Sequence, residues 1–118
     1  MRIKAYVLAA DPTWLEASVG AYYPFIEELI VSYDRIGCGW TGARIPVNEC
    51  LERLRNLDVD KKIRWAPGDF SGRTADPMTN DTLQRNAALV LASEGADWVI
   101  QLDTDEWLPD PKIFWPRK

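Results

Sequence analysis

Apolar residues fall along this chain in short blocks, some continuous and some repeating at the helical period. Residues 4–10 form a nearly unbroken apolar run, as in a strand buried on both faces. Asp11-Pro12 breaks it. Thr13 and Glu16 then have the Thr-x-x-Glu spacing of a capping box, ahead of a helix carrying Leu15, Val19 and Tyr22 that Pro24 closes. Residues 26–33, rich in Ile, Leu and Val, predict a second strand ending at Asp34. Gly37, Gly39 and Gly42 punctuate the next connection, which matches no phosphate-cradling pattern and reads as a flexible link. Pro46 opens a helix in which Val47, Cys50, Leu51, Leu54 and Leu57 recur at helical spacing.

Residues 62–66 predict a third, short strand that stops at Pro67-Gly68-Asp69. Residues 70–79 have no period and many turn formers, so a long loop is expected there. Asn80 or Asp81 should cap a third helix whose apolar face is Leu83, Ala87, Val90 and Leu91, and Gly95 should end it. Residues 98–102 predict a fourth strand running straight into Asp103. This alternation implies an α/β domain, Rossmann-like and three-layered, with a mostly parallel sheet and right-handed crossovers. No repeat, linker or low-complexity stretch divides the 118 residues, which read as one domain.

Composition removes several kinds of chemistry. The net charge is −4 with Lys and Arg dispersed, so no basic footprint for nucleic acid or an anionic membrane is present. There is no histidine, which excludes histidine acid–base catalysis, Ser-His-Asp triads and Cys/His zinc sites. Cys38 and Cys50 are too few for a disulfide framework and are expected as reduced thiols. The apolar start over residues 1–10 is far shorter than the roughly 20 residues of a membrane span. No transmembrane segment is expected, and a cytoplasmic location is.

Open α/β sheets bind ligands beyond the carboxyl ends of their strands, where the strand order reverses. The predicted strand ends are Ala10-Asp11, Asp34, Asp69 and Asp103-Thr104-Asp105, each at or beside an aspartate. On an extended backbone Asp103 and Asp105 point the same way, so both carboxylates can face one ligand. Like charges that close repel unless a cation lies between them, and Mg²⁺ or Mn²⁺ suits such oxygen ligands. A solvated acidic turn is the plain alternative for the tripeptide. Arg85 could equally be an ion-paired helix residue, and Asn86 a cap or bridge.

The block Gln84-Arg85-Asn86-Ala87-Ala88-Leu89, with Gly95-Ala96-Asp97-Trp98-Val99-Ile100-Gln101-Leu102-Asp103-Thr104-Asp105-Glu106, resembles the family 2 glycosyltransferases, with their Arg-Asn helix and Asp-x-Asp motif. The resemblance implies the nucleotide-binding half of a GT-A fold, incomplete here because such domains continue into acceptor-binding strands. It implies transfer of a sugar from a nucleoside-diphosphate sugar to a hydroxyl of a glycan, lipid or protein acceptor, with Mn²⁺ or Mg²⁺. Under it Ala10 and Asp11 lie beside the base and ribose, Asp34 contacts the base, and Asp69 borders the nucleotide pocket. Arg85 and Asn86 lie near the donor. Asp103 reaches the ribose or a metal-bound water, and Asp105 ligates the metal that bridges the diphosphate.

The chain departs from that pattern at Arg35-Ile36-Gly37, where the family commonly has a second acidic residue and a Gly-Ser turn, and this leaves base selectivity open. No residue is assigned as the catalytic base. A non-catalytic nucleotide-binding fragment lacking the acceptor half is the alternative. A phospho-receiver domain is disfavoured, because it needs an acidic pair after the first strand and a late lysine. This chain has Ala9-Ala10-Asp11 and no lysine between Lys62 and Lys112.

Overall fold

The computed structural model describes residues 1–71 and 76–101 and arranges them in three layers, helices on both faces of one sheet. The alternation of side chains along β1 (Ile3–Leu8) decides which layer each residue joins. Ile3, Ala5 and Val7 pack with Leu15, Val19 and Tyr22 of α1 (Leu15–Tyr22) and with Cys50 and Leu54 of α2 (Val47–Leu57). Tyr6 and Leu8 pack on the other face with Ala88 and Ala92 of α3 (Pro77–Ser93). With both faces covered, all six residues of β1 are buried, as the unbroken apolar run predicts.

The remaining strands are β2 (Glu28–Asp34), β3 (Ile63–Gly68) and β4 (Trp98–Gln101), giving the order β3-β2-β1-β4 with every pairing parallel. The chain steps from β1 to β2 to β3 with α1 and α2 on one face, then returns to β4 with α3 on the other. Right-handed crossovers impose this change of face when the direction of travel reverses. The reversal lies between β1 and β4, where Tyr6 pairs with Gln101. The expected fold class is the observed one.

Local details differ from expectation in several places, among them β3, expected to stop at Pro67, which runs on through Gly68. The capping box does not form: Thr13 donates its N–H and hydroxyl to Asp11 Oδ1, at 3.0 and 2.7 Å, and α1 begins at Leu15 without a side-chain cap. Pro24 ends α1 through a single 3₁₀ turn, Tyr23–Phe25. The third helix starts at Pro77 rather than after Asn80, because Asp76 accepts the Met78 N–H and proline suits the first helical position. Its buried face is Asn80, Gln84, Ala88 and Ala92; of the expected stripe Leu91 packs against the same cluster, whereas Val90 is 65% exposed. Small residues let this helix approach the bulky Tyr6, Leu8 and Ile30 closely, and that packing outweighs the apolar stripe one flank away.

A further difference is the glycine-punctuated link, which is a hydrogen-bonded turn. Gly42 N–H reaches Gly39 O at 2.9 Å, Gly39 N–H reaches Ala43 O at 2.7 Å, and Ile45 N–H reaches Gly37 O at 3.0 Å. Gly37 and Gly42 hold positive φ angles of 77° and 88°, which only glycine adopts without strain.

Two polar clamps hold the end of the sheet away from these turns. Lys4, 7% exposed, donates from Nζ to the Glu94 carbonyl at 2.6 Å and so satisfies a free carbonyl after α3. Asp58 accepts from Tyr23 Oη at 2.6 Å and from the N–H groups of Lys62 and Ile63, tying β3 to the end of α1. Both cysteines are free thiols, Cys50 buried and Cys38 partly so. Among the described residues no helix is long and apolar enough to cross a membrane.

Candidate functional site

A pocket of about 380 Å³ opens at the carboxyl ends of β1 and β2. Its floor is the end of β1, Leu8 and Ala9, continuing into Ala10 and Asp11. Asp34, the last residue of β2, forms one side. The turn after β2 supplies Cys38, Gly39, Trp40 and Ile45, and α3 supplies Gln84 and Arg85 from the opposite layer. Parallel strands all end on one side of the sheet, so residues far apart in sequence meet there.

Four of the residues singled out in the sequence therefore line one cavity: Ala10, Asp11, Asp34 and Arg85. Asp69 and Asn86 do not line it. Asp69 follows β3, two strands from β1, where its largely exposed carboxylate lies 3.9 Å from the Arg35 guanidinium. Asn86 is on the exposed side of α3. Asp103 and Asp105 lie outside the described residues.

The two pocket carboxylates differ in what they can offer a ligand. Asp34 is 4% exposed and both of its oxygens are occupied. Oδ1 accepts the N–H groups of Phe70 and Ser71 at 2.9 and 3.2 Å, and Oδ2 accepts the Cys38 N–H at 3.0 Å and the Ser71 hydroxyl at 3.3 Å. Burial works against its charge, but the donors from Phe70, Cys38 and Ser71 outweigh burial and hold the carboxyl below its ordinary range. Asp34 is thus an ionised clamp between the turn after β2 and the segment after β3. Asp11, at the exposed rim, is also held below its ordinary range by the N–H and then the hydroxyl of Thr13, both on Oδ1.

Arg85 bonds Asp81 one helical turn earlier and lies over the Trp40 ring, 5.8 Å from its centroid. Trp40 donates its indole N–H to Gln84 Oε1 at 2.7 Å, and Gln84 Nε2 donates to Ser32 Oγ at 3.2 Å. Neither Trp40 nor Gln84 stands out in the sequence as a site residue. The available signals were a lone tryptophan inside a glycine-punctuated turn, and amides recurring at i and i+4 on a helix.

The described wall can hold a ligand of mixed character, with apolar surface from Leu8, Ala9, Ile45 and Trp40 and charge at the rim from Asp11 and Arg85. Among the described residues no three His, Cys, Asp or Glu side chains are grouped to hold a metal ion. Comparison with protein-family models, with curated proteins and with solved structures gave no match.

Proposed function

We propose that this chain is the nucleotide-sugar-binding part of a metal-dependent glycosyltransferase. The observation that carries this reading is the meeting of Ala10, Asp11 and Arg85 in one pocket at the strand ends, beside the reversal of strand order between β1 and β4. That is where α/β sheets of this order bind ligands. The strand that reverses the order, β4, leads in sequence directly to Leu102-Asp103-Thr104-Asp105.

In this reading the nucleoside lies over the end of β1, and Arg85 faces the diphosphate. Asp34 acts indirectly, by holding the two segments that frame the pocket. A divalent cation falls to Asp103 and Asp105, since Asp34 is fully occupied and Asp11 alone is too few ligands. Such a cation would neutralise charge that grows on a departing diphosphate.

Calorimetric titration of UDP with Mn²⁺ into the wild-type chain and the Asp105→Ala variant tests the reading. Metal-dependent affinity is expected to disappear in the variant. Unchanged affinity would show that Asp105 is not the ligand. A parallel assay for donor hydrolysis or transfer separates an enzyme from a binding module, because a module binds without turnover.

A further inference from the structure

The sheet-facing stripe of α3 is Asn80, Gln84, Ala88 and Ala92. The two alanines pack beneath the helix in the ordinary way, but the half nearest the pocket consists of amides, 0% and 6% exposed. Buried amides are costly unless their polar atoms are bonded. Here the bonds converge on one residue of the turn after β2. Gln84 Oε1 accepts the Trp40 indole N–H at 2.7 Å, and Asn80 Nδ2 donates to the Trp40 carbonyl at 3.0 Å. Gln84 is itself fixed by its second bond, to Ser32 Oγ of β2.

A turn that needed only anchoring could be held by its backbone, as Asp34 holds it at Cys38. Trp40 is held by its side chain as well. Binding the indole N–H to Gln84 removes the ring's one hydrogen-bond donor, and tryptophan has no side-chain acceptor. What Trp40 contributes to the pocket wall is therefore aromatic surface without a donor or acceptor of its own, with the Arg85 guanidinium resting over the ring 5.8 Å from its centroid.

We propose that Trp40 is the stacking wall of this pocket, taking the flat ring of a bound nucleobase, with Gln84 and Asn80 as the positioning residues that fix the indole. The proposal rests on the nucleotide reading above and adds to it a specificity rule. A wall without donors or acceptors recognises that a base is present and not which base it is, since every base has a π face. Any discrimination among bases must come from the rim and the backbone.

The test is calorimetry with UDP, ADP and pyrophosphate, each with Mn²⁺, on the full chain as wild type, Trp40→Phe, Trp40→Leu, Gln84→Leu and Gln84→Glu, with a thermal melt of each. Trp40→Leu should lose roughly 5- to 150-fold in affinity for both nucleotides, the range of one stacked base, with pyrophosphate unchanged. Trp40→Phe should stay within about threefold, because a smaller ring still stacks. Gln84→Leu should weaken both nucleotides, and Gln84→Glu, which keeps an acceptor for the indole N–H, should restore them. Unchanged UDP affinity in a folded Trp40→Leu chain overturns the wall, and so does a parallel loss of pyrophosphate, which would mean that Trp40 acts by holding the turn or the Arg85 guanidinium that rests on its ring. If Trp40→Leu fails to fold, indole fluorescence decides: UDP should quench the wild type more than Trp40→Phe, and equal quenching overturns the proposal. A wild-type chain that binds neither nucleotide overturns the nucleotide reading, and the wall with it.

Discussion

Replacing Asp34 by asparagine removes one charge and leaves the shape of the residue almost unchanged. The clamp holds four donors, two on each oxygen. An asparagine oriented with its carbonyl at the Oδ1 position keeps Phe70 and Ser71 N–H, though as weaker neutral bonds. Its NH₂ group then faces the Cys38 N–H, donor against donor, while the Ser71 hydroxyl can rotate to accept. One partly buried N–H is left unbonded, at a cost of about 1–3 kcal/mol, before the loss of charge assistance on the others. A net loss of about 2–3 kcal/mol follows.

For a chain of 118 residues the unfolding entropy is on the order of 0.25 kcal/mol/K, so Tm should fall by about 8–12 °C at neutral pH. The pH dependence separates this mechanism from a packing defect. The folded-state pKa of Asp34 lies below its ordinary value of 3.8, so the charge-dependent stability is fully present above that value. It is lost as pH falls through the folded pKa. Asparagine does not titrate, so the gap in Tm between the two proteins should be constant from pH 7 to about 5 and close progressively below 3.8. Thermal melts by circular dichroism across that range are the assay. A gap of under about 2 °C at pH 7, or one that persists undiminished to the acid limit of folding, would refute the clamp. Amide exchange adds a local check, since protection at Cys38, Phe70 and Ser71 should fall first.

Two further outcomes follow from packing. Gly68→Ala would drive a methyl group into the Phe70 ring, whose Cε2 would be 2.6 Å away, and should cost about 1–3 kcal/mol; an unchanged urea midpoint would show that Phe70 moves freely aside. Burial first, and then neighbouring acidic groups such as Glu49, push the Cys50 thiol up to about 11, so iodoacetamide at pH 8 should label the native chain at Cys38 and reach Cys50 only after unfolding. Mass spectrometry reads this directly as one adduct native and two in denaturant, and a second native adduct would contradict the burial of Cys50.

The order of elements was legible because buried strands and helices differ in period, and β1 and α2 carry those periods without ambiguity. The face of α3 was legible only in part, at Leu91, which packs against the sheet-side cluster. Its large apolar residues, Leu83, Val90 and Leu91, mark a stripe, but contact with the sheet is decided by which side chains are small enough for close approach. Ala88 and Ala92 meet that need, and hydropathy does not weigh size in this way. Asp34 could be placed at the end of a strand from sequence, yet its occupants come from residues 38, 70 and 71, contacts made only when two loops converge. The same limit hid Trp40. Its partner Gln84 lies 44 residues later, and nothing local to either position signals the other.

Among the described residues β3 is an edge strand, and Pro67 sits in it opposite Tyr33. The carbonyls of Lys62 and Gly68 accept bonds from Leu29 and Arg35, so the even-numbered positions of this strand face β2 and Pro67 turns its backbone outward. The missing N–H therefore costs the sheet nothing internally. It does deprive that border of a donor midway along, so a further chain laid against β3 would meet a gap and a ring instead of a ladder. Recruitment of another strand, whether from the same polypeptide or a neighbouring copy, is disfavoured beside β3.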